Sequence, residues 1–276
     1  MLFSIIIPAY NVESYVEDCL DSVQESLKHF IQPQEVEIIV IDDGSTDQTG
    51  EKLLQRVPGI HVISLNLNQG ASVARNAGVR QASGEYVIFL DADNRPTSDS
   101  LSIIHDTVRS RPHDDAIVLA MDLIDTQEQI IGSFYGDKVL IDVPAQLNSG
   151  SEALLLNFLD NFSVVKRSVF QVLQYDEHQK TSEDWDLWIR LLFEHYGRIS
   201  FQPQICRIRA NSQTSQHAGS DPIALDATIR IYAKILLLRK NNPIPSQIVA
   251  KTYEVLHQLS VALSQSSSYD NWRQKG

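Results

Sequence analysis

Val36-Glu37-Ile38-Ile39-Val40-Ile41-Asp42-Asp43-Gly44-Ser45-Thr46-Asp47 is an apolar run of strand length that stops on two carboxylates, a glycine and capping side chains. The run predicts a buried strand over Val36 to Ile41, and Asp47 opens a helix reaching about Val57. The same grammar repeats on either side. Phe3 to Ile7 is a strand ended by Pro8, and Glu13 to Lys28 carries Val16, Cys19, Leu20, Val23 and Leu27 at helical spacing. His61 to Leu65 reads as a third strand, Ala71 to Ala82 as a helix, and Tyr86 to Leu90 as a fourth strand. Strands alternating with helices imply an α/β fold, a mostly parallel Rossmann-like sheet flanked by helices.

In such sheets ligands sit beyond the carboxyl ends of the strands. Those ends are Pro8-Ala9-Tyr10-Asn11, Asp42-Asp43-Gly44-Ser45, Asn66 to Gly70, and Asp91-Ala92-Asp93. All are polar or turn-forming, and two carry paired carboxylates. Beyond residue 112 the pattern loosens. Ala116 to Leu123 and Gln129 to Phe134 suit a hairpin with Asp125 to Glu128 as its turn, and Asn161 to Val165 suits a further strand. Glu183 to His195 has the periodicity of an amphipathic helix, Arg198 to Arg209 is extended, and Ala224 to Lys240 and Ser246 to Gln265 form a C-terminal helical extension.

Each candidate motif has a bland reading beside a chemical one. Gly44 with Ser45 or Asp47 makes an ordinary strand-to-helix turn and cap. That leaves two consecutive carboxylates unexplained, and a carboxylate there can accept the N3–H of uracil or the N1–H of guanine. Asp91-Ala92-Asp93 is either a solvated acidic turn before a helix or a pair of hard oxygen ligands on one side of the pleat, suited to Mg²⁺ or Mn²⁺. Arg75, in Asn68-Gln69-Gly70-Ala71-Ser72-Val73-Ala74-Arg75-Asn76-Ala77-Gly78, is either a surface arginine or a cation that pairs a phosphate or steadies the acidic site. In Thr181-Ser182-Glu183-Asp184-Trp185-Asp186-Leu187-Trp188-Ile189-Arg190, Ser182 caps a helix with an acidic first turn. Asp184 there also suits a general base for an acceptor hydroxyl.

The order PAYN, DDGSTD, N-x-G-x-x-x-ARN-x-G, DAD and EDWDLWIR, from Phe3 to about Ser215, resembles the family 2 glycosyltransferases of the GT-A fold. The resemblance implies an inverting, metal-dependent transfer of a sugar from a nucleoside diphosphate, UDP before GDP, to a glycan, lipid-linked or small-molecule acceptor. It implies that Pro8, Ala9, Tyr10 and Asn11 line the nucleoside pocket and that Asp43 reads the base. Asn68 and Arg75 would border the nucleotide, Asp91 would approach the ribose or the metal, and Asp93 would bind Mn²⁺ or Mg²⁺. Asp184 would be the base, with Glu183 beside it. Where the family often shows Arg-x-His, this chain has Arg207-Ile208-Arg209. Arg207 or Arg209 is then expected at the diphosphate, and His217 stands either as a substitute metal ligand or as a loop histidine. The implied organisation is a catalytic domain over 1–218, with a nucleotide-binding half (1–112) and an acceptor-binding half (113–218), followed by an extension over 219–276.

Composition sets outer bounds. Lys plus Arg number 23 against 35 Asp plus Glu, a net charge of −12, which argues against broad nucleic-acid binding. Cys19 and Cys206 are too far apart for a metal or redox pair and are expected as free thiols. The N-terminus lacks a basic region before its short apolar stretch, and no run approaches the roughly 20 apolar residues of a membrane span. A cytoplasmic location is expected. The extension carries Ile229, Tyr232, Ala233, Leu236 and Leu237 as an apolar stripe beside Arg230, Lys234, Arg239 and Lys240. It is expected to pack on the catalytic domain, with a homodimer contact or docking at an anionic membrane face as the functional alternatives. No G-x-G occurs in the chain, which removes the dinucleotide-binding fingerprint. A non-catalytic nucleotide-sugar or glycan-binding protein on the same fold is the remaining rival.

Overall fold

The computed structural model describes residues 1–56, 59–125, 129–134, 163–179, 181–195, 198–209, 222–238 and 246–265. Strand β1 (Phe3–Ala9) pairs in parallel with β2 (Val36–Asp42) and β4 (Tyr86–Phe89), and β2 pairs in parallel with β3 (His61–Ser64). The links are α1 (Val16–His29), α2 (Thr49–Leu54) and α3 (Ala71–Gln81). After β4 come a two-residue strand β5 (Arg95–Pro96), α4 (Ser100–Ser110), the antiparallel hairpin β6 (Ala116–Ile124) and β7 (Ile130–Phe134), and β8 (Val164–Lys166). Helix α5 (Glu183–Glu194), β9 (Ile199–Arg209), α6 (Pro222–Leu238) and α7 (Ser246–Gln265) complete the described chain. One sheet runs β3-β2-β1-β4-β8-β6-β9-β5, with β7 on β6. It is parallel from β3 to β4 and mixed beyond, because β8 is antiparallel to both β4 and β6.

The alternation of side chains along each strand assigns them to two apolar layers. Ile6, Ile39, Ile41, Val87 and Phe89 face one layer, covered by α3 (Ala74, Ala77), α5 (Trp185, Trp188) and α6 (Ile231, Ile235). Phe3, Ile5, Ile7, Ile38, Val40 and Ile88 face the other, covered by α1 (Val16, Leu20, Val23) and α4 (Leu101, Ile104, Val108). The strand order reverses direction at β1 and β4, and their carboxyl ends, at Ala9 and Phe89, mark the topological switch point.

Several bounds differ from the sequence expectation. The strand expected over Asn161 to Val165 is observed at Val164–Lys166 and is followed by a 3₁₀ turn, Arg167–Gln171; residues 161 and 162 lie outside the described part. The buried stripe of α6 is Ile231, Tyr232 and Ile235, while Leu237 is exposed. That helix packs on α5: Tyr232 meets Trp185 edge-on at 5.4 Å, and Lys234 is hydrogen-bonded to the buried carboxylate of Asp186. Among the described residues no helix is long and apolar enough to cross a membrane.

Candidate active site

The loops after β1, β2 and β3 are stitched into one rim. Asp43 donates its backbone N–H to Ala9 O (2.8 Å), and its carboxylate accepts the N–H groups of Gln69 (2.9 Å) and Gly70 (2.7 Å). Asn11 sits in the left-handed region at φ 51°; its amide oxygen accepts Thr46 N–H (2.9 Å), and its own N–H bonds Ser45 Oγ (3.1 Å). Glu13 N–H reaches Asp47 Oδ2 (3.1 Å), and Val12 N–H reaches Thr49 Oγ1 (2.9 Å). Gly44, at φ 71°, lies so close to the next loop that a Cβ there would stand 2.5 Å from the Leu67 carbonyl carbon. These contacts hold the three loops together.

Inside the rim is a cleft of about 550 Å³ lined by Pro8, Ala9, Tyr10, Val12, Asp43, Asn68, Gly70, Ala71, Ala74, Arg75, Asp91, Ala92, Asp93 and Glu183. Four of the five motifs thus supply lining residues near the switch point, and the acidic helix α5 contributes the fifth from far along the chain. Tyr10 is 42% exposed at the mouth, an aromatic face open to a ligand. Asn11 does not line the cleft; its role in the structure is to tie the first loop to the second. Asp184 is likewise absent from the lining, while Glu183, one residue before it on the first turn of α5, is present.

Arg75 explains the arrangement of the carboxylates. One Nη donates to Asp91 (3.1 Å) and the other to Glu183, so a single guanidinium ties the end of β4 to the start of α5. Burial works against its charge, but Glu183 and then Asp91 outweigh it and hold the guanidinium firmly protonated.

The donor chemistry of the cleft suits a divalent cation. Asp91 and Asp93 are hard oxygen ligands, and Mg²⁺-type ions commonly take only one or two carboxylates together with substrate phosphates. No group of three metal-type side chains occurs among the described residues, so a third ligand from the protein is not found there. His217 lies outside the described residues. Arg207 and Arg209 are placed by their backbone on β9, paired with Asp122 on β6 and with Arg95 on β5 respectively; their side chains lie outside the described part. Cys19 is a buried free thiol beneath Asp91, and burial pushes it up, which makes it a packing residue. Tyr175, whose ring lies against Arg75, and Asn76, which bonds its backbone, carry no sequence motif that announces a place beside the site.

Sheet order and cleft together define the class, an α/β protein of the GT-A type. The structure superposes on residues 1–349 of Staphylococcus aureus TarS in complex with UDP-GlcNAc with a TM-score of 0.70 at 21% identity, covering 97% of this chain and 74% of that one. It superposes on the mannosyltransferase PcManGT of Pyrobaculum calidifontis in complex with GDP-Man and Mn²⁺ with a TM-score of 0.63 at 18% identity, covering 96% and 75%. Residues 4–129, a little under half of the chain, match the model of Glycosyl transferase family 2. TuaG of Bacillus subtilis, by its provisional name a teichuronic acid biosynthesis glycosyltransferase, is 42% identical over 104 residues, which is 36% of this chain and 39% of TuaG. The poly(ribitol-phosphate) beta-N-acetylglucosaminyltransferase TarS of S. aureus is 37% identical over 105 residues, 37% of this chain and 18% of TarS. The alignments therefore span well under half of these relatives.

Proposed function

We propose that this chain is an inverting glycosyltransferase that moves a sugar from a nucleoside diphosphate, UDP first, to an acceptor hydroxyl in polysaccharide, lipopolysaccharide or other glycoconjugate synthesis. The observation that carries the reading is the cleft itself, where Asp43, Asp91, Asp93, Arg75 and Glu183 converge at the switch point. The names of the relatives and the ligands of the structural neighbours, UDP-GlcNAc and GDP-Man with Mn²⁺, support the same class of donor.

In this reading Pro8, Ala9 and Tyr10 bound the nucleoside. Asp43 takes the base N–H: a carboxylate has about four lone-pair sites, and Gln69 and Gly70 use two. Asp93, with Asp91, would hold Mn²⁺ or Mg²⁺ against the diphosphate, where the ion supplies charge neutralisation for the leaving group. Arg207 or Arg209 would add positive charge on the same side. Asp184 is the base, the role the family resemblance gives it, and Glu183 beside it is held by Arg75. Asp184 takes the acceptor hydroxyl proton while that oxygen bonds the anomeric carbon, and the bond from carbon to diphosphate breaks on the opposite face with its electron pair. Residues 1–112 form the nucleotide half and 113–218 the acceptor half.

The test separates the two carboxylates. Nucleotide release is measured from UDP- and GDP-sugar panels, with and without glycan acceptors, alongside calorimetric binding. Asp184→Asn should lower transfer at least about 100-fold, the scale of general base catalysis, with donor binding retained. Asp93→Asn should weaken Mn²⁺-dependent donor binding. Near-normal transfer by Asp184→Asn would remove it as the base. Donor binding by the wild type with no transfer to any acceptor or to water would favour a non-catalytic binding protein.

A further inference from the structure

The Arg75 guanidinium is held by two carboxylates and lies over an aromatic ring as well. Its Cζ lies 5.5 Å from the centroid of the Tyr175 ring, and Tyr175 is only 4% exposed. That ring is wedged edge-on to Phe89 at 5.3 Å and stacked on Phe170 at 6.2 Å. Phe89 ends the strand that leads to Asp91. The ring therefore rests against the same strand end whose carboxylate Arg75 holds.

The segment carrying Tyr175 is fastened from several sides. Asn76, the residue after Arg75 and 3% exposed, clamps it: its Nδ2 donates to Tyr175 O (3.0 Å), and its Oδ1 accepts Tyr175 N–H (3.0 Å). The same Nδ2 reaches Glu177 Oε1 (3.1 Å). Arg190 of α5 donates to Gln174 O (2.7 Å), and Lys234 of α6 reaches Asp176 (3.4 Å). An amide that makes both bonds to one backbone residue fixes position and orientation together, as a strand partner would.

We propose that Tyr175, clamped by Asn76, is a positioning residue that sets the plane of the Arg75 guanidinium so that one cation bridges Asp91 on the donor side and Glu183 on the acceptor side. This rests on the site reading given above. With the ring gone, the guanidinium keeps its charge but gains freedom to tilt. The carboxylate-to-carboxylate geometry then loosens by amounts that matter to a transfer step. The phenol oxygen is not required for this role; the ring face is.

The experiment reads Arg75 directly and then turnover. Side-chain ¹⁵Nε–Hε spectra of the full chain, with the Arg75 signal assigned through Arg75→Lys, should show an upfield ring-current shift. Tyr175→Phe should preserve that shift and retain kcat within about twofold. Tyr175→Leu should abolish the shift and lower kcat roughly tenfold, the worth of a desolvated cation–π contact, with the KM for the donor little changed. If Tyr175→Leu does not fold, Asn76→Ser provides the second variant, since it keeps the tyrosine itself but removes the clamp that holds its ring over Arg75. Its Arg75 signal should move toward the random-coil position. An unmoved Arg75 signal in Tyr175→Leu or Asn76→Ser, or equal losses in Tyr175→Phe and Tyr175→Leu, would overturn the proposal. The spectra need no substrate, so absence of transfer in the wild type counts against the proposed function and not against this positioning role.

Discussion

Lys234→Met tests whether the C-terminal helix is part of the working unit. Asp186 lies on α5, two residues beyond Asp184, and is 1% exposed. Its Oδ2 accepts from Arg190 (Nε at 2.8 Å, Nη2 at 2.7 Å), and its Oδ1 accepts from Lys234. Removing one member of a buried pair costs about 3–5 kcal/mol, because the remaining charge is left without compensation. Here Arg190 still holds one oxygen, and 27% of the Lys234 side chain is exposed. The loss should therefore be smaller, about 2 kcal/mol, in line with one hydrogen bond to a charged group. For a chain of this size that lowers Tm by roughly 4–8 °C. Urea unfolding followed by near-UV circular dichroism and by tryptophan fluorescence gives the free energy, and agreement of the two probes checks that α6 unfolds with the rest. Repeating Lys234→Met in an Asp186→Asn background should show a cost about 1 kcal/mol smaller. A change under about 0.5 kcal/mol, or the same cost in both backgrounds, would refute the reasoning.

Gly78→Ala should destabilise by about 1–3 kcal/mol, because a Cβ there would meet Ile6 Cγ2 at 2.4 Å where α3 crosses β1; unfolding equal to wild type would show that the helix shifts freely. Glu37 accepts from Ser4 Oγ (2.6 Å), Ser83 N–H (2.7 Å) and Oγ (2.8 Å), and Gly84 N–H (3.2 Å). Burial pushes its carboxyl up, but these hydrogen bonds outweigh it and hold it below its ordinary value. A depressed folded value means the stabilisation is present above the ordinary carboxylate range and is lost as pH falls through the folded value. Glu37→Gln should thus cost about 1–2 kcal/mol at pH 7, with the gap to wild type closing below about pH 4. A gap independent of pH would contradict that account.

Strands β1 and β2 were legible because they are buried on both faces and read as continuous β-branched runs, Ile5-Ile6-Ile7 and Ile38-Ile39-Val40-Ile41, with the site residues at their ends. The hairpin was legible for a related reason, since Asp125 closes it through Gln129. Strand β5 is two residues long and exists only through its partner β9, so no periodicity could announce it. Helix α4 has a signal of its own in Leu101, Ile104 and Val108 after Asp99. The bridge from Asn76 to Tyr175 joins residues 99 apart through a side-chain amide and leaves no local pattern at all. For the same reason Asn11 looked like a pocket residue: only the fold shows that its amide turns toward Thr46. Glu183 and Asp184 are neighbours in an acidic first turn, and only the fold shows that Glu183 meets Arg75.

The most direct test of the central claim is a thermal-shift titration of the full chain with UDP and GDP in Mn²⁺, Mg²⁺ or EDTA. Ligand at about 100 times Kd adds roughly 2.7 kcal/mol to the folded state, a rise in Tm of roughly 5–10 °C. The account predicts such a rise for UDP with Mn²⁺ or Mg²⁺, diminished in EDTA and in Asp93→Asn. No rise with either nucleotide under any metal condition would contradict it.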